Sequence, residues 1–228
     1  MIHGSPRFPL RFRPSHPANC PWLLWSPQAS QGCQHPGDIK LATSATIYRF
    51  QLELSDIDRS VYETLDLRVA RHPSEDEERM VVRVLARAIA HEEGLEFGRG
   101  ISNTDDAGLW AHTLTGQVGT WIDIGLPAAE RLHRASKASE RLLVFTHKPE
   151  AILRKEWRTR KIHRAAEIQV YRLPEDMVRR LADGIGRKAN WFVTIHDGVL
   201  SVTSGDLNLE GVIEVISLAD LVSADAKL

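Results

Sequence analysis

From Ala45 onward the chain alternates apolar and polar residues: ATIYRFQLEL, the turn-like SDIDRS, then VYETLDLRVAR with Val61, Leu65, Leu67 and Val69 at spaced positions. A period of two is the mark of a strand with one buried face, so this stretch predicts a β-hairpin. Pro73 ends it. Ser74 and Glu77 then make a capping box for a helix over about Glu75–Glu93, with Gly94 as terminator. Val81, Leu85, Ala88 and Ile89 form its apolar stripe, and Glu78 falls on that same stripe at the N-terminal end, directed toward the body.

Three β segments follow, LEFGRGIS, LWAHTLTG and GTWIDIGLP, divided by the acidic turn Asn103–Gly108 and by the stretch Gly116–Gly119. Pro127 opens a second helix, about Ala128–Glu140, and RLLVFTH from Arg141 is a short buried strand. The order is helix, three strands, helix, strand. A strand, crossover helix, strand unit closes as a right-handed parallel connection, so the third and fourth of these strands should pair in parallel. Beyond them the pattern predicts a basic helix over Glu150–Arg164, a strand EIQVYRL, a helix Pro174–Ala182, and a hairpin WFVTIHDGVLSVTS turned at Asp197-Gly198. The predicted class is α/β, a mixed central β-sheet flanked by helices with extra hairpins.

Residues 1–40 break the pattern. They hold seven of the eleven prolines, three arginines, both cysteines (Cys20 and Cys33) and a single acid, Asp38. Proline fixes φ and removes a backbone donor, so an extended, unfolded leader is predicted, with residues 41–228 as one domain. An arginine-rich targeting peptide is the functional alternative, although the prolines spoil the amphipathic helix such leaders form. The remainder carries 25 basic and 29 acidic residues, a balance that names no partner. With the cysteines confined to the leader, neither a disulfide framework nor a cysteine metal site is available to the body. Apolar runs stay below the ~18 residues of a membrane span, so a soluble, cytoplasmic protein with no membrane association is expected.

Candidate chemistry lies in acids at unusual places: Glu78 on the inner helix stripe, Asp123 inside the apolar strand WIDIG, and Asp105 and Asp106 in an interstrand turn. Converging, they would hold a hard cation such as Mg²⁺ or Mn²⁺, which takes oxygen ligands and can activate water. Each has a plainer reading: Glu78 favouring the helix dipole, Asp123 facing solvent on a half-exposed strand. Arg131, Arg134 and Lys137 follow on the second helix, where Arg134 or Lys137 could lean over Asp123, while Glu130 and Arg134 suit an ordinary i,i+4 pair. Arg154, Lys155, Arg158, Arg160, Lys161 and Arg164 against the single acid Glu156 make a candidate nucleic-acid contact, or simply a solvated helix face. Trp157 among them is either a base-stacking group or a core anchor. No GxxxxGK, GxGxxG, GxSxG, HxxxH or HxH occurs, which removes phosphate loops, nucleophile elbows and histidine zinc sites and leaves no organic cofactor implied.

Taken in order, ATIY, the SDIDR turn, VARHPSEDEERM, FGRGIS with Asp105 and Asp106, Trp110, LTG, WIDIGLP, the RASKA helix and TIHDG resemble the YaeQ family of small bacterial proteins, from Leu41 almost to Ser217. The resemblance starts at Leu41, implying that residues 1–40 derive from an upstream start assignment; an intact Met1 end found by mass spectrometry of natively expressed protein would refute this. The family is similar in fold to the PD-(D/E)XK, restriction-endonuclease-like nucleases, which implies Mg²⁺-dependent phosphodiester hydrolysis or, alternatively, an inactive nuclease fold that binds nucleic acid or a protein partner. Carried over, Glu78 matches the helix carboxylate, Asp123 the (D/E) position, and Asp105 or Asp106 the remaining acid. The chain departs from the motif two residues beyond Asp123, where Gly125 stands in place of Lys, and it has no acid near Gly119. The cation would then come from Arg134 or Lys137.

Overall fold

The computed structural model describes residues 45–98 and 106–223. The readings placed on residues 1–40 and on Asp105 therefore lie outside the described residues. The elements run β1 (Thr46–Asp56), β2 (Val61–Arg71), α1 (Glu77–Ile89), β3 (Glu96–Phe97), β4 (Leu109–His112), β5 (Val118–Ile124), α2 (Ala129–Ala138), β6 (Ser139–Thr146), α3 (Glu150–Trp157), β7 (Gln169–Arg172), α4 (Glu175–Asp183), β8 (Lys188–His196), β9 (Val199–Ser204), β10 (Leu207–Val212), β11 (Glu214–Ser217) and α5 (Leu218–Ser223).

Two mixed sheets form where one was expected. The first has the order β10-β9-β8-β1-β2 and the second β11-β7-β6-β5-β4-β3. The β1/β2 hairpin does not join the central sheet, because β1 takes β8 as a parallel partner, Arg49 to Asp56 against Lys188 to Ile195. Its inward residues Phe50, Leu52 and Leu54 pack with Trp191 and Val193 of β8, with Ile122, Ile124, Leu143 and Phe145 of the second sheet, and with α1 between them. Helix α1 is consequently enclosed on more than one stripe: Met80, Val82, Val84 and Ala86 are as buried as Val81 and Leu85. The other face of the second sheet is covered by α2, α3 and α5 through Leu132, Leu153, Trp157 and Leu221.

The predicted order helix, three strands, helix, strand is present as α1, β3, β4, β5, α2, β6, with β5 and β6 parallel. Strand β7 extends that parallel run beyond β6. The second hairpin turns where expected, Asp197 and Gly198 both having positive φ (51° and 73°), the requirement of a type I′ turn that matches strand twist.

Boundaries moved at three places. Asp76, not Ser74, caps α1: its side chain accepts from the Arg79 amide, and the helix closes at Ala90 before Gly94. The basic segment is helical only to Trp157, after which the Arg158 amide and the Thr159 hydroxyl take the last-turn carbonyls of Arg154 and Glu156. After Ser204 the chain adds β10, β11 and α5, which no strong period announced. Among the described residues no helix is long and apolar enough to cross a membrane.

Candidate functional site

The parallel strands β5, β6 and β7 end on the same side of the second sheet, where ligands of open α/β sheets commonly bind. Asp123, next to last in β5, is only 2% exposed. Strand alternation sets it with Trp121 on the α2 side of the sheet, away from Ile122 and Ile124. Arg131, early in α2, reaches it there, because helical side chains point back toward the helix N-terminus. Its Nε donates to both Asp123 carboxylate oxygens at 3.0 Å and its Nη2 to Oδ1 at 2.7 Å. Nη2 also donates to the Asp106 carbonyl at 2.6 Å, and the guanidinium lies 5.6 Å from the Trp121 ring centroid. One cation thus ties the strand, the acidic turn and the helix together. Trp157 of α3 pins the same corner, 1% exposed and donating through Nε1 to the Pro127 carbonyl at 2.8 Å.

On the opposite face α1 delivers Glu78, half-buried, to the end of β6. Its Oε2 lies 3.0 Å from His147 Nε2 and 3.8 Å from Lys148 Nζ. His147 is 4% exposed and its Nδ1 is buried with no hydrogen-bond partner among the described residues. Burial, and then the Lys148 charge, holds the imidazole below the usual histidine pKa, against the opposing pull of Glu78. A cleft of about 460 Å³ opens beside it, lined by Lys148, Arg172, Pro174, Gly211 and Glu214 among others. Arg172 is held there by Glu214 and, at 3.6 Å, by Glu150.

Of the acids expected to meet, Glu78 and Asp123 therefore stand on opposite faces of the sheet. Asp123 and the Asp106 carbonyl share Arg131, whereas Glu78 engages His147 across the strand layer. Among the described residues no group of three or more His, Cys, Asp or Glu could hold a metal ion. The described donors do not fit Mg²⁺ or Mn²⁺, since a divalent ion would have to displace a guanidinium from both oxygens of Asp123. Arg134 and Lys137, the cations anticipated beside Asp123, occupy exposed positions of α2, and Arg131 holds that place instead. Glu130 pairs with Arg160 at 3.5 Å. Gly125, which stands where the resemblance places Lys, has φ +84, a left-handed conformation that lysine adopts only with strain.

The basic segment is largely occupied in holding the fold. Arg154 donates to the Leu221 carbonyl and to Glu150, Arg158 to the Val222 carbonyl, and Arg164 to the Ser136, Ser139 and Glu140 carbonyls at the end of α2. Lys155, Arg160 and Lys161 stay exposed. Sequence reasoning also passed over the buried pair Glu75–Arg83, at 3.0 Å, which Arg79 extends at 3.1 Å. The i,i+4 and i,i+8 spacing of those charges around Glu75 was the available signal.

Comparison with known proteins follows the same chain segment. The family profile described as YaeQ protein matches residues 41–212. The YaeQ protein of Escherichia coli (strain K12) is 30% identical over 171 residues, 75% of this chain and 94% of its own length. The crystal structure of YaeQ from Pseudomonas syringae superposes with a TM-score of 0.68 at 35% identity, covering 75% of this chain and 94% of that one. That of Xanthomonas axonopodis pv. citri gives 0.68 at 33% identity, covering 75% and 98%.

Proposed function

Because the chain belongs to the YaeQ family, we propose that it has a restriction-endonuclease-like, PD-(D/E)XK-type core and binds nucleic acid without cutting it. The run α1, β3, β4, β5, α2, β6, with Asp123 near the end of the third strand, supports that core by analogy of fold, and the core supports nucleic acid as the ligand class. One observation carries the non-hydrolytic reading: both oxygens of Asp123 are taken by Arg131. A permanently protonated guanidinium neutralises the carboxylate and cannot take a proton from water, so the group best placed to act as base or ligand acts as a structural anchor.

The test uses the full chain with labelled single- and double-stranded DNA and RNA in Mg²⁺ or Mn²⁺, beside Asp123→Asn. Intact substrates, retained by both proteins with an affinity that falls as salt rises, are the expected result. Cleavage by the parent chain that Asp123→Asn abolishes would overturn the reading in favour of metal-dependent hydrolysis. Failure to retain any nucleic acid at low salt would overturn the ligand class.

A further inference from the structure

Among the described residues no element covers the outer face of the first sheet, and that face carries charge in an order that folding alone does not favour. Cross-strand register sets Arg68 of β2 opposite Arg49 of β1, and Arg49 beside Lys188 of β8. Three cations thus stand in one row across three adjacent strands, which spans roughly 10 Å at the ~4.8 Å strand spacing. Like charges placed directly opposite destabilise a sheet. All three are exposed, and none has an ion-pair or hydrogen-bond partner for its side chain among the described residues. The next row toward the turn offers Asp66, Gln51 and Asn190, and together these groups line a hollow of about 370 Å³. Farther along the same face stand Phe192, 52% exposed and opposite Glu53, and Tyr62, 63% exposed and opposite Ser55. Phe192 stands four positions on from Lys188, about 13 Å along the strand.

We propose that this face binds single-stranded nucleic acid, with Arg68, Arg49 and Lys188 on the phosphates and Phe192 and Tyr62 against unstacked bases. Charge complementarity selects a polyanion, since the row carries three positive charges and the acids on this face of these three strands, Asp66 and Glu53, lie beyond it toward the aromatics. Exposed aromatic rings select single strands, because a duplex keeps its base faces stacked while a single strand offers them. Gln51 and Asn190 lie between the cations and the aromatics, with amides that can meet sugar or base edges. The inference rests on nucleic acid being the ligand and adds which surface and which strand state.

A fluorescein-labelled 20-nucleotide thymidine strand, titrated by anisotropy across a salt series, tests it against the triple variant Arg49→Ala/Arg68→Ala/Lys188→Ala and against Phe192→Ala. The triple variant should bind at least tenfold more weakly, with its log–log salt slope reduced by about 2, as expected when three single-strand phosphate contacts are lost. Its Tm should be unchanged or raised, a result that distinguishes a binding row from a structural one. Phe192→Ala should weaken binding several-fold at constant salt slope. Tenfold preference for a duplex of equal length, or binding by the triple variant equal to the parent chain, overturns the assignment while leaving the ligand class intact. If Lys155→Ala/Lys161→Ala removes binding and the triple variant does not, the contact surface is the segment after α3. Absence of binding by the parent chain defeats the ligand class itself.

Discussion

Arg131 is the residue through which the candidate site is understood. It is a partly exposed cation whose partner is not, and taking one member from such a pair leaves a buried charge without compensation. Arg131→Ala should therefore cost roughly 3 kcal/mol in urea-induced unfolding, and Arg131→Lys should recover only part of it, since a lysine cannot span both carboxylate oxygens. Equal stability of Arg131→Ala and the parent chain would show that the clamp contributes nothing. His147 gives a pH dependence with a definite sign. Its pKa in the fold lies below the value of 6.5 expected of the unfolded chain, so below about pH 6.5 the unfolded state binds more protons than the folded one. The stability from keeping this imidazole neutral is fully present above pH 6.5 and is lost as pH falls toward the lower folded value. A Tm series from pH 7.5 to 5 should drop more steeply for the parent chain than for His147→Gln. Parallel curves would remove His147 as the cause, and His91, shifted in the same direction by burial, would be the next residue to replace.

Among the elements, the segment after α3 shows how a basic run can mislead. Six cations within eleven residues resemble a phosphate-binding helix, yet the helix stops at Trp157 and Arg164, at φ +50, turns back to the carbonyls at the end of α2. Helix C-termini leave carbonyls unsatisfied and attract cations, so this is a structural use of charge. Arg164→Ala should lower stability by about 1.5–3 kcal/mol, the range for hydrogen bonds to a charged group, while leaving oligonucleotide affinity within twofold. A large affinity loss at unchanged stability would reverse that assignment. The first helix teaches the converse. Its stripe was legible from period alone, but its burial on every side was not, because both sheets and α4, which lies far along the chain, close around it.

For the whole molecule, local signals went far. Alternation located the first hairpin, Asp197-Gly198 specified the turn of the second by demanding two positive φ values, and the order of segments between Glu77 and Thr146 dictated a crossover between parallel strands. Those features depend on residues close in sequence, where sterics and hydrogen-bond geometry act without help from distant chain. What distance brings together was not legible: that β1 would choose β8, that the hairpin would found a sheet of its own, and that the sheet between Glu78 and Asp123 would keep two acids of the expected site apart. A strand's period says that one of its faces is buried, never against what. The choice of Arg131 over Arg134 or Lys137 follows from the same limit, since 3.6 residues per turn give every third or fourth side chain a similar direction and only the packed angle of α2 on the sheet selects one. The amino-acid sequence by itself thus determined most of the elements up to Ser204, their order and the family, because these rest on short-range physics and on motif residues. Tertiary structure alone decided which charges meet, because burial and ion pairing are properties of surfaces assembled from remote segments.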